Sequence, residues 1–221
     1  MKVDIYSDVV CPWCYIGERR FARALSGFPE ANRVEVVFRP YQLDPSAPAT
    51  AVPLAEYLER RFGRRIDGML GRVSAEAERE GIAIAWDQAL SANTRTAHRL
   101  LELAEREHGA AVQRALAERL FDLYFTRGGN IADTGQLADA AASAGMDGDR
   151  VRAYLESDEG LPELQAAFDE ARRLGIRAVP TFVIDERYVV EGAQPVATFL
   201  EVLREAAKAE NAASAANAEP G

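Results

Sequence analysis

The sequence contains two cysteines, Cys11 and Cys14, with Pro12 and Trp13 between them. Cysteines three positions apart at the start of a helix lie on one face of it, close enough to form a reversible disulfide. A bridge across so short a loop removes little entropy from the unfolded chain, so it would be a poor structural staple. The spacing therefore indicates redox chemistry at these two sulfur atoms.

The elements predicted around the cysteines give them different roles. Residues of high strand propensity predict a strand over 3–6, and Pro12 suits the first turn of a following helix, where its missing N–H costs nothing. The free amides and positive potential of a helix N-terminus favour a thiolate over a thiol. We therefore expect Cys11 to be the attacking thiolate and Cys14, the more buried of the two, to be the resolving thiol.

The residues next to the cysteines tune this chemistry. Pro12 and Trp13 include no histidine or lysine that would further stabilise a thiolate, and two nearby carboxylates, Asp8 and Glu18, would oppose it. This predicts a moderate rather than a strongly oxidising centre. We also place Pro12 and Trp13 among the residues that contact substrate.

Two other roles for the cysteine pair remain open at this point. A pair with this spacing can be half of a structural zinc site, but such a site needs four ligands, and the remaining candidates, His98 and His108, lie far along the chain on a predicted helix. Two buried, inert cysteines are the other alternative. The placement between a strand and a helix favours the redox role over both, and no metal site is expected.

The order of the predicted elements is that of an α/β protein. A strand over 34–38 follows the first helix, which predicts a right-handed parallel crossover. Residues from about 53 to 175 have helical periodicity, enough for six or seven helices. A β-hairpin over 181–184 and 188–190 and a last helix over 195–207 complete the order. The predicted organisation is a discontinuous thioredoxin-like domain over 1–48 and 176–207, a large all-helical insertion over 49–175, and a disordered tail over 208–221.

A second feature of interest is Pro180, which stands directly before the predicted strand over 181–184, where it cannot donate a ladder hydrogen bond. On the sequence alone, an ordinary trans proline is the expectation, because only about 5% of X-Pro bonds in folded proteins are cis.

Charge and hydropathy exclude two classes of partner. The formal net charge of -9 argues against nucleic acid, because binding to phosphates requires a basic surface. No apolar stretch is long enough to span a bilayer, and nothing like a signal peptide precedes the first strand. We therefore expect a cytoplasmic protein without membrane partners.

Taken together, the motif over 6–17 (YSDVVCPWCYIG), the long helical insertion and the segment over 179–184 (VPTFVI) resemble the DsbA family, in particular its FrnE-like branch. The stretches 93–100 and 191–194 add weaker similarity. The resemblance implies a thiol-disulfide oxidoreductase or disulfide isomerase acting on protein or small-molecule thiols.

The resemblance also assigns roles outside the cysteine pair. It implies that Pro180 is cis and lies beside Cys11 and Cys14, and that the backbone of Val179 is free to pair with an extended substrate. It offers His98 as a candidate substrate-binding residue of a groove, although a lone histidine on a helix is more often packed or exposed.

Two alternative functions stay open. Glutathione-dependent enzymes similar to 2-hydroxychromene-2-carboxylate isomerases and kappa-class glutathione transferases share the fold and the insertion, but they usually have serine at the reactive position, where this chain has Cys11. A non-catalytic chaperone that binds unfolded peptide in the groove is the other. No resident cofactor is expected, glutathione or another low-molecular-weight thiol is the candidate co-substrate, and the oligomeric state is left open.

Overall fold

The computed structural model describes residues 1–63 and 67–218, which form six strands and nine α-helices. In chain order these are β1 (Lys2–Ser7), α1 (Pro12–Ser26), β2 (Glu35–Pro40), β3 (Val52–Pro53), α2 (Leu54–Phe62), α3 (Asp67–Arg79), β4 (Leu90–Ser91), α4 (Arg95–His108), α5 (Ala110–Phe121), α6 (Thr134–Ser143), α7 (Gly148–Glu156), α8 (Leu161–Arg173), β5 (Thr181–Ile184), β6 (Tyr188–Glu191) and α9 (Val196–Ala218). No helix in these described ranges has the length and apolar character needed to cross a bilayer.

The main sheet has the strand order β2-β1-β5-β6. β1 pairs in parallel with β2 and antiparallel with β5, so that Ile5 faces Phe38 on one side and Phe182 on the other. β5 and β6 form the predicted hairpin. The α/β thioredoxin-like fold predicted from the sequence is confirmed.

Aromatic side chains fix the first helix against this sheet. Phe21 of α1, Phe182 of β5 and Phe199 of α9 form one buried cluster, with ring centroids 5.4, 5.6 and 4.6 Å apart. Tyr15, on another part of α1, stacks on Phe121 of α5 at 5.1 Å. α1 is therefore held by the last helix and by the insertion together.

A side chain of the insertion also provides hydrogen-bond partners for backbone groups at the free edge of the sheet. The backbone N–H of Phe38 donates to Gln113 Oε1 at 2.8 Å, and Gln113 Nε2 donates to the Phe38 carbonyl at 2.9 Å. The fully buried side chain of Gln113 on α5 thus satisfies backbone groups of edge strand β2 that would otherwise need a further strand.

The insertion differs from the prediction in one respect. Its described part contains seven α-helices, within the predicted number, but it is not all-helical, because β3 and β4 pair through Val52 and Ser91. Val52 is β-branched and precedes a proline, and both properties favour extended backbone. A ladder of two residues is too short to produce a detectable periodicity.

The predicted disordered tail over 208–221 is also corrected. α9 continues through 208–218, beyond its predicted end at 207, while 219–221 lie outside the described residues. The segment is rich in alanine, the residue with the highest helix propensity. Its lack of large apolar residues argues against tertiary packing but not against a helix. The division into domains at 48 and 176 stays a prediction.

Gly17 provides a test of how closely α1 approaches the loop before β5. A Cβ at this position would lie 3.0 Å from Pro180 Cγ and 3.4 Å from Ala193 Cα. We expect Gly17→Ala to lower the free energy of unfolding by about 1 kcal/mol, because overpacking outweighs the gain in helix propensity. Thermal and urea unfolding measure the change.

Gly71 offers a matched control, since it also lies within a helix but has no atom within 4 Å of an added Cβ. There the same substitution should raise the free energy of unfolding by about 1 kcal/mol. Equal stabilisation by both substitutions would show that the contact with Pro180 is not tight.

Candidate active site

The two cysteines occupy the first turn of α1. Cys11 is the N-cap residue, in an extended conformation, and Pro12 is the first helical residue. The N–H groups of Cys14 and Tyr15 donate to the Cys11 carbonyl at 3.0 and 3.3 Å. A turn in which the Cys11 N–H donates to the Asp8 carbonyl at 3.0 Å joins this helix to β1. The strand-to-helix placement expected from the sequence is therefore present.

Both cysteines are free thiols and both are buried, with 3% of Cys11 and 2% of Cys14 exposed. The expected difference in burial between them is thus small. They differ in what they face, because Cys11 lines an open groove and Cys14 does not. The expected roles of Cys11 as the attacking thiol and Cys14 as the resolving thiol therefore depend on this orientation rather than on exposure.

The surroundings of Cys14 favour its protonated form. Burial, followed by the contact with the Cys11 side chain, raises the pKa of the Cys14 thiol well above its ordinary value. Hydrogen bonds from the Ser7 side chain and the Asp8 backbone act in the opposite direction but do not offset it. Cys14 therefore carries its proton at neutral pH.

The loop before β5 lies directly against Cys11. The Val179-Pro180 peptide bond is cis, as the family resemblance implies and against the trans expectation from the sequence alone. Cys11 Sγ donates to the Val179 carbonyl at 3.7 Å. The β5 ladder begins at Thr181, so Val179 lies outside the paired strand. The structure thus brings together six of the seven predicted site residues: Cys11, Pro12, Trp13, Cys14, Val179 and Pro180.

A groove of about 410 Å³ opens beside Cys11, between the redox motif and the helices α2 and α3. Of the six large apolar side chains exposed in the described ranges, four line this groove: Trp13, Leu43, Phe62 and Met69. Trp86 and Tyr124 contribute further aromatic surface, and Tyr124 belongs to a π-helical turn over 122–126, a feature often found at functional sites. A concentration of exposed apolar surface at one place marks a binding site.

The groove offers few charges to a ligand. Among its lining residues that the structure describes, the cationic one is Arg61, and its guanidinium is paired with Asp44. The carboxylate of Asp8 also reaches the groove but accepts a hydrogen bond from the Leu43 N–H at 2.8 Å. On the described part of the groove wall, an anionic ligand would therefore meet two carboxylates and one cation that already has a partner.

His98 is the predicted site residue that the structure places elsewhere. It is 2% exposed, its Nε2 lies 3.3 Å from Asp8 Oδ1, and its ring meets that of Phe168 edge to face at 5.8 Å. Its role in substrate binding stays a prediction, and it does not line the groove described above. The reason is that the buried stripe of α4, with Ala97 and Leu101, turns His98 inward.

The sequence reasoning missed most of the groove wall and one polar neighbour of the cysteines. Leu43, Phe62, Met69 and Tyr124 come from separate parts of the chain and share no spacing that would have grouped them. Ser7 stands in the motif over 6–17 without a predicted role of its own. Its position immediately after the last core residue of β1 was the signal that its hydroxyl turns toward the cysteines.

Comparisons with known proteins assign nearly the whole chain to one family. The family model for a DSBA-like thioredoxin domain matches residues 2–204. The crystal structure of the probable DsbA oxidoreductase SCO1869 from Streptomyces coelicolor is 34% identical, with a TM-score of 0.84, over 93% of this chain and 89% of that one. The uncharacterised protein YwbO of Bacillus subtilis is 29% identical over 201 residues, which cover 87% of this chain and 90% of YwbO.

A more distant neighbour shares the fold alone. The cytosolic disulfide reductase DsbM from Pseudomonas aeruginosa, solved with GSH, is 19% identical, with a TM-score of 0.63, over 94% of this chain and all of that one. The family match over nearly the whole length, together with the similarity to SCO1869, establishes that this chain belongs to the DSBA-like thioredoxin domain family.

Proposed function

We propose that the protein is a thiol-disulfide oxidoreductase that exchanges disulfides through Cys11 and Cys14. The observation that carries the proposal is the contact between two free thiols at a helix N-terminus, with Cys11 facing an open groove and Cys14 facing the interior. Thiol-disulfide exchange needs one accessible attacking sulfur and one resolving sulfur within reach of it. A cytoplasmic location is part of the proposal.

In the reductive direction, the Cys11 thiolate attacks a substrate disulfide, forms a mixed disulfide and releases the first substrate thiolate. Cys14 then loses its proton and attacks Cys11 Sγ, which forms the Cys11-Cys14 disulfide and releases the second substrate sulfur. The reverse sequence oxidises a dithiol. An extended substrate segment would pair with the backbone of Val179, which lies beside Cys11 and outside the β ladder.

The groove favours polypeptide substrates over glutathione. Its exposed surface is made largely of Trp13, Leu43, Phe62 and Met69, which suit an apolar side chain near the substrate cysteine. Glutathione carries two carboxylates, and among the groove residues that the structure describes the one cation, Arg61, is already paired with Asp44. Glutathione is therefore proposed as a co-substrate that regenerates the dithiol, consistent with the presence of GSH in the DsbM structure.

Substitution of each cysteine tests the assignment. Cys11→Ser should reduce the rate of insulin reduction by roughly 10³-fold or more, because the attacking sulfur is lost. Cys14→Ser should retain the first attack and accumulate a mixed disulfide with substrate, which intact-mass spectrometry detects.

Suppression of aggregation of an unfolded protein is measured alongside, since a chaperone would keep it in both variants. A Cys11→Ser variant that still reduces insulin would rule out the proposed function. If Cys11→Ser keeps both insulin reduction and suppression of aggregation, the alternative of a glutathione-dependent isomerase or transferase would be favoured.

The reduction midpoint is a second test. Trp13 lies between the cysteines, so its fluorescence should report their redox state in glutathione buffers. Because Pro12 and Trp13 provide no histidine or lysine, we expect a midpoint at roughly -150 to -260 mV, between the values of thioredoxin and DsbA. Trp13→Phe controls for the signal of Trp86, which also lines the groove. A midpoint outside this range would contradict the interpretation of the motif.

Substrate preference is a third test. Burial of one large apolar side chain contributes about 1.5–3 kcal/mol, so a peptide disulfide with a neighbouring leucine or phenylalanine should have a kcat/KM at least about tenfold above that of glutathione disulfide. Leu43→Ser should reduce this ratio and leave glutathione disulfide turnover unchanged. Leu174→Ser, at an exposed leucine that does not line the groove, is the matched control. Equal effects of both substitutions would argue against binding in the groove.

A further inference from the structure

A second cleft, of about 510 Å³, lies beside the groove and shares Leu43 with it. Its wall is formed by the loop over 40–45, by Asn93 and Arg95 at the start of α4, by one side of α8, and by Ile176 in the segment that follows α8. The exchange steps described above do not involve this cleft.

The charges of the second cleft differ from those of the groove. Arg95 and Arg172 line it, and no aspartate or glutamate does so within the part of the chain that the structure describes. Arg172 is paired with Asp169, whereas Arg95 is exposed and makes no ion pair with any described residue. The whole chain has 35 acidic and 26 basic residues, so a cleft whose charged lining is arginine alone is unlike its average surface.

Hydrogen bonds hold the wall between the groove and the second cleft in place. Gln42 Nε2 donates to Asn93 Oδ1 at 2.9 Å, and Asn93 Nδ2 donates to the Pro45 carbonyl at 3.0 Å. The Leu43 N–H donates to Asp8 Oδ2 at 2.8 Å. The loop is thereby tied both to α4 and to the redox motif. Its amide side chains already have partners, which leaves the arginines as the donors for a ligand.

The start of α4 adds to the positive potential of the second cleft. Thr94 is the N-cap residue of this 14-residue helix and makes no side-chain capping hydrogen bond. The N-terminus of a helix favours a nearby anion. Arginine binds carboxylates through charge-assisted hydrogen bonds of defined geometry. A carboxylate is therefore the ligand group that matches this lining.

The second cleft lies along the path of a substrate that pairs with Val179. The segment from Val179, beside Cys11, back to Ile176, in the wall of the cleft, spans at most about 11 Å. The hydroxyl of Tyr41, another lining residue, donates to the Arg177 carbonyl at 3.1 Å and holds this segment against the cleft. An extended peptide would therefore meet the cleft about three residues from its reacting cysteine.

We propose that the second cleft is a substrate subsite for the carboxylate of an acidic residue about three positions from the substrate cysteine, with Arg95 as its main partner and Arg172 beside it. The proposal rests on the proposed function and names a class of its polypeptide substrates, with an apolar residue for the groove and an acidic one for the cleft. The carboxylates of glutathione lie closer to its sulfur, so we assign the subsite to polypeptides.

Peptide disulfides that differ in one side chain test the subsite. Each has a leucine next to the cysteine, and glutamate or glutamine about three positions before or after it. The rate constant for their reduction by the full-length protein, followed by Trp13 fluorescence, should be about two- to fivefold higher with glutamate than with glutamine at one of these positions. At about 1 M salt the ratio should fall to near one, because the Debye length is then about 3 Å.

Substitution of the arginines assigns this preference to the cleft. Arg95→Gln should bring the glutamate-to-glutamine ratio to near one, and Arg95→Glu should favour a peptide with lysine at the same position. Arg172→Gln should lower the ratio as well, but less, because Arg172 is paired with Asp169. Arg119→Gln is the matched control, at an exposed arginine of α5 that does not line the cleft, and should keep the ratio. Thermal unfolding establishes that each variant is folded.

The glutamine peptide reports disulfide exchange by itself, so the failure of the proposed function and the failure of the subsite are distinguishable. Equal rates for both peptides with the unmodified protein, or a preference that persists in folded Arg95→Gln, would overturn the subsite and leave the exchange intact. Reduction of neither peptide would overturn both. Glutathione disulfide is measured alongside, and a loss in Arg95→Gln confined to it would contradict the assignment to polypeptides.

Discussion

The contact between the first two turns of α1 and the loop before β5 is the constraint on which the site depends. Cys11 Sγ reaches the Val179 carbonyl at 3.7 Å, and one turn further along Gly17 leaves space for the Pro180 ring, because any Cβ there would approach Pro180 Cγ to 3.0 Å. These two contacts hold Cys11 Sγ next to a backbone segment that lies outside the β ladder. In the proposed exchange, a substrate that pairs with Val179 is thereby presented to Cys11 without movement of either element.

Buried polar groups hold the insertion against the sheet and tie its helices to one another. Gln113 satisfies both backbone groups of Phe38 on the edge strand, and Arg99 donates to the carbonyls of Tyr154, Ser157 and Glu159 at the end of α7. Each of these hydrogen bonds would leave a buried group unsatisfied if the helices moved, a cost of about 1–3 kcal/mol per group. The insertion is thus fixed at its base, while the groove wall formed by α2 and α3 presents its apolar side chains to solvent.

Local signals determined what the sequence could predict. The strand before the cysteines, the helix that starts at Pro12 and the hairpin after Pro180 follow from neighbours in the chain, and all are present. The direction in which His98 points depends on what packs against α4, so no local pattern predicts whether it lines the groove. The cis bond could be anticipated only from family resemblance, because local chemistry favours trans. The segment over 208–218 has few large apolar residues, so apolar content does not predict its helix. Its many alanines favour a helix, and this propensity agrees with the observed structure.

The geometry of a single helical turn gives the two cysteine sulfur atoms different surroundings. Positions 11 and 14 are close enough for exchange, yet one faces an apolar groove and the other faces Ser7 and the protein interior. In the proposed exchange, a substrate disulfide approaches from the groove, whose exposed lining is largely apolar. On the interior side, burial favours the thiol form of Cys14. The hydrogen bonds from the Ser7 side chain and the Asp8 backbone act against this effect of burial, so the inner sulfur keeps polar neighbours within an otherwise apolar core.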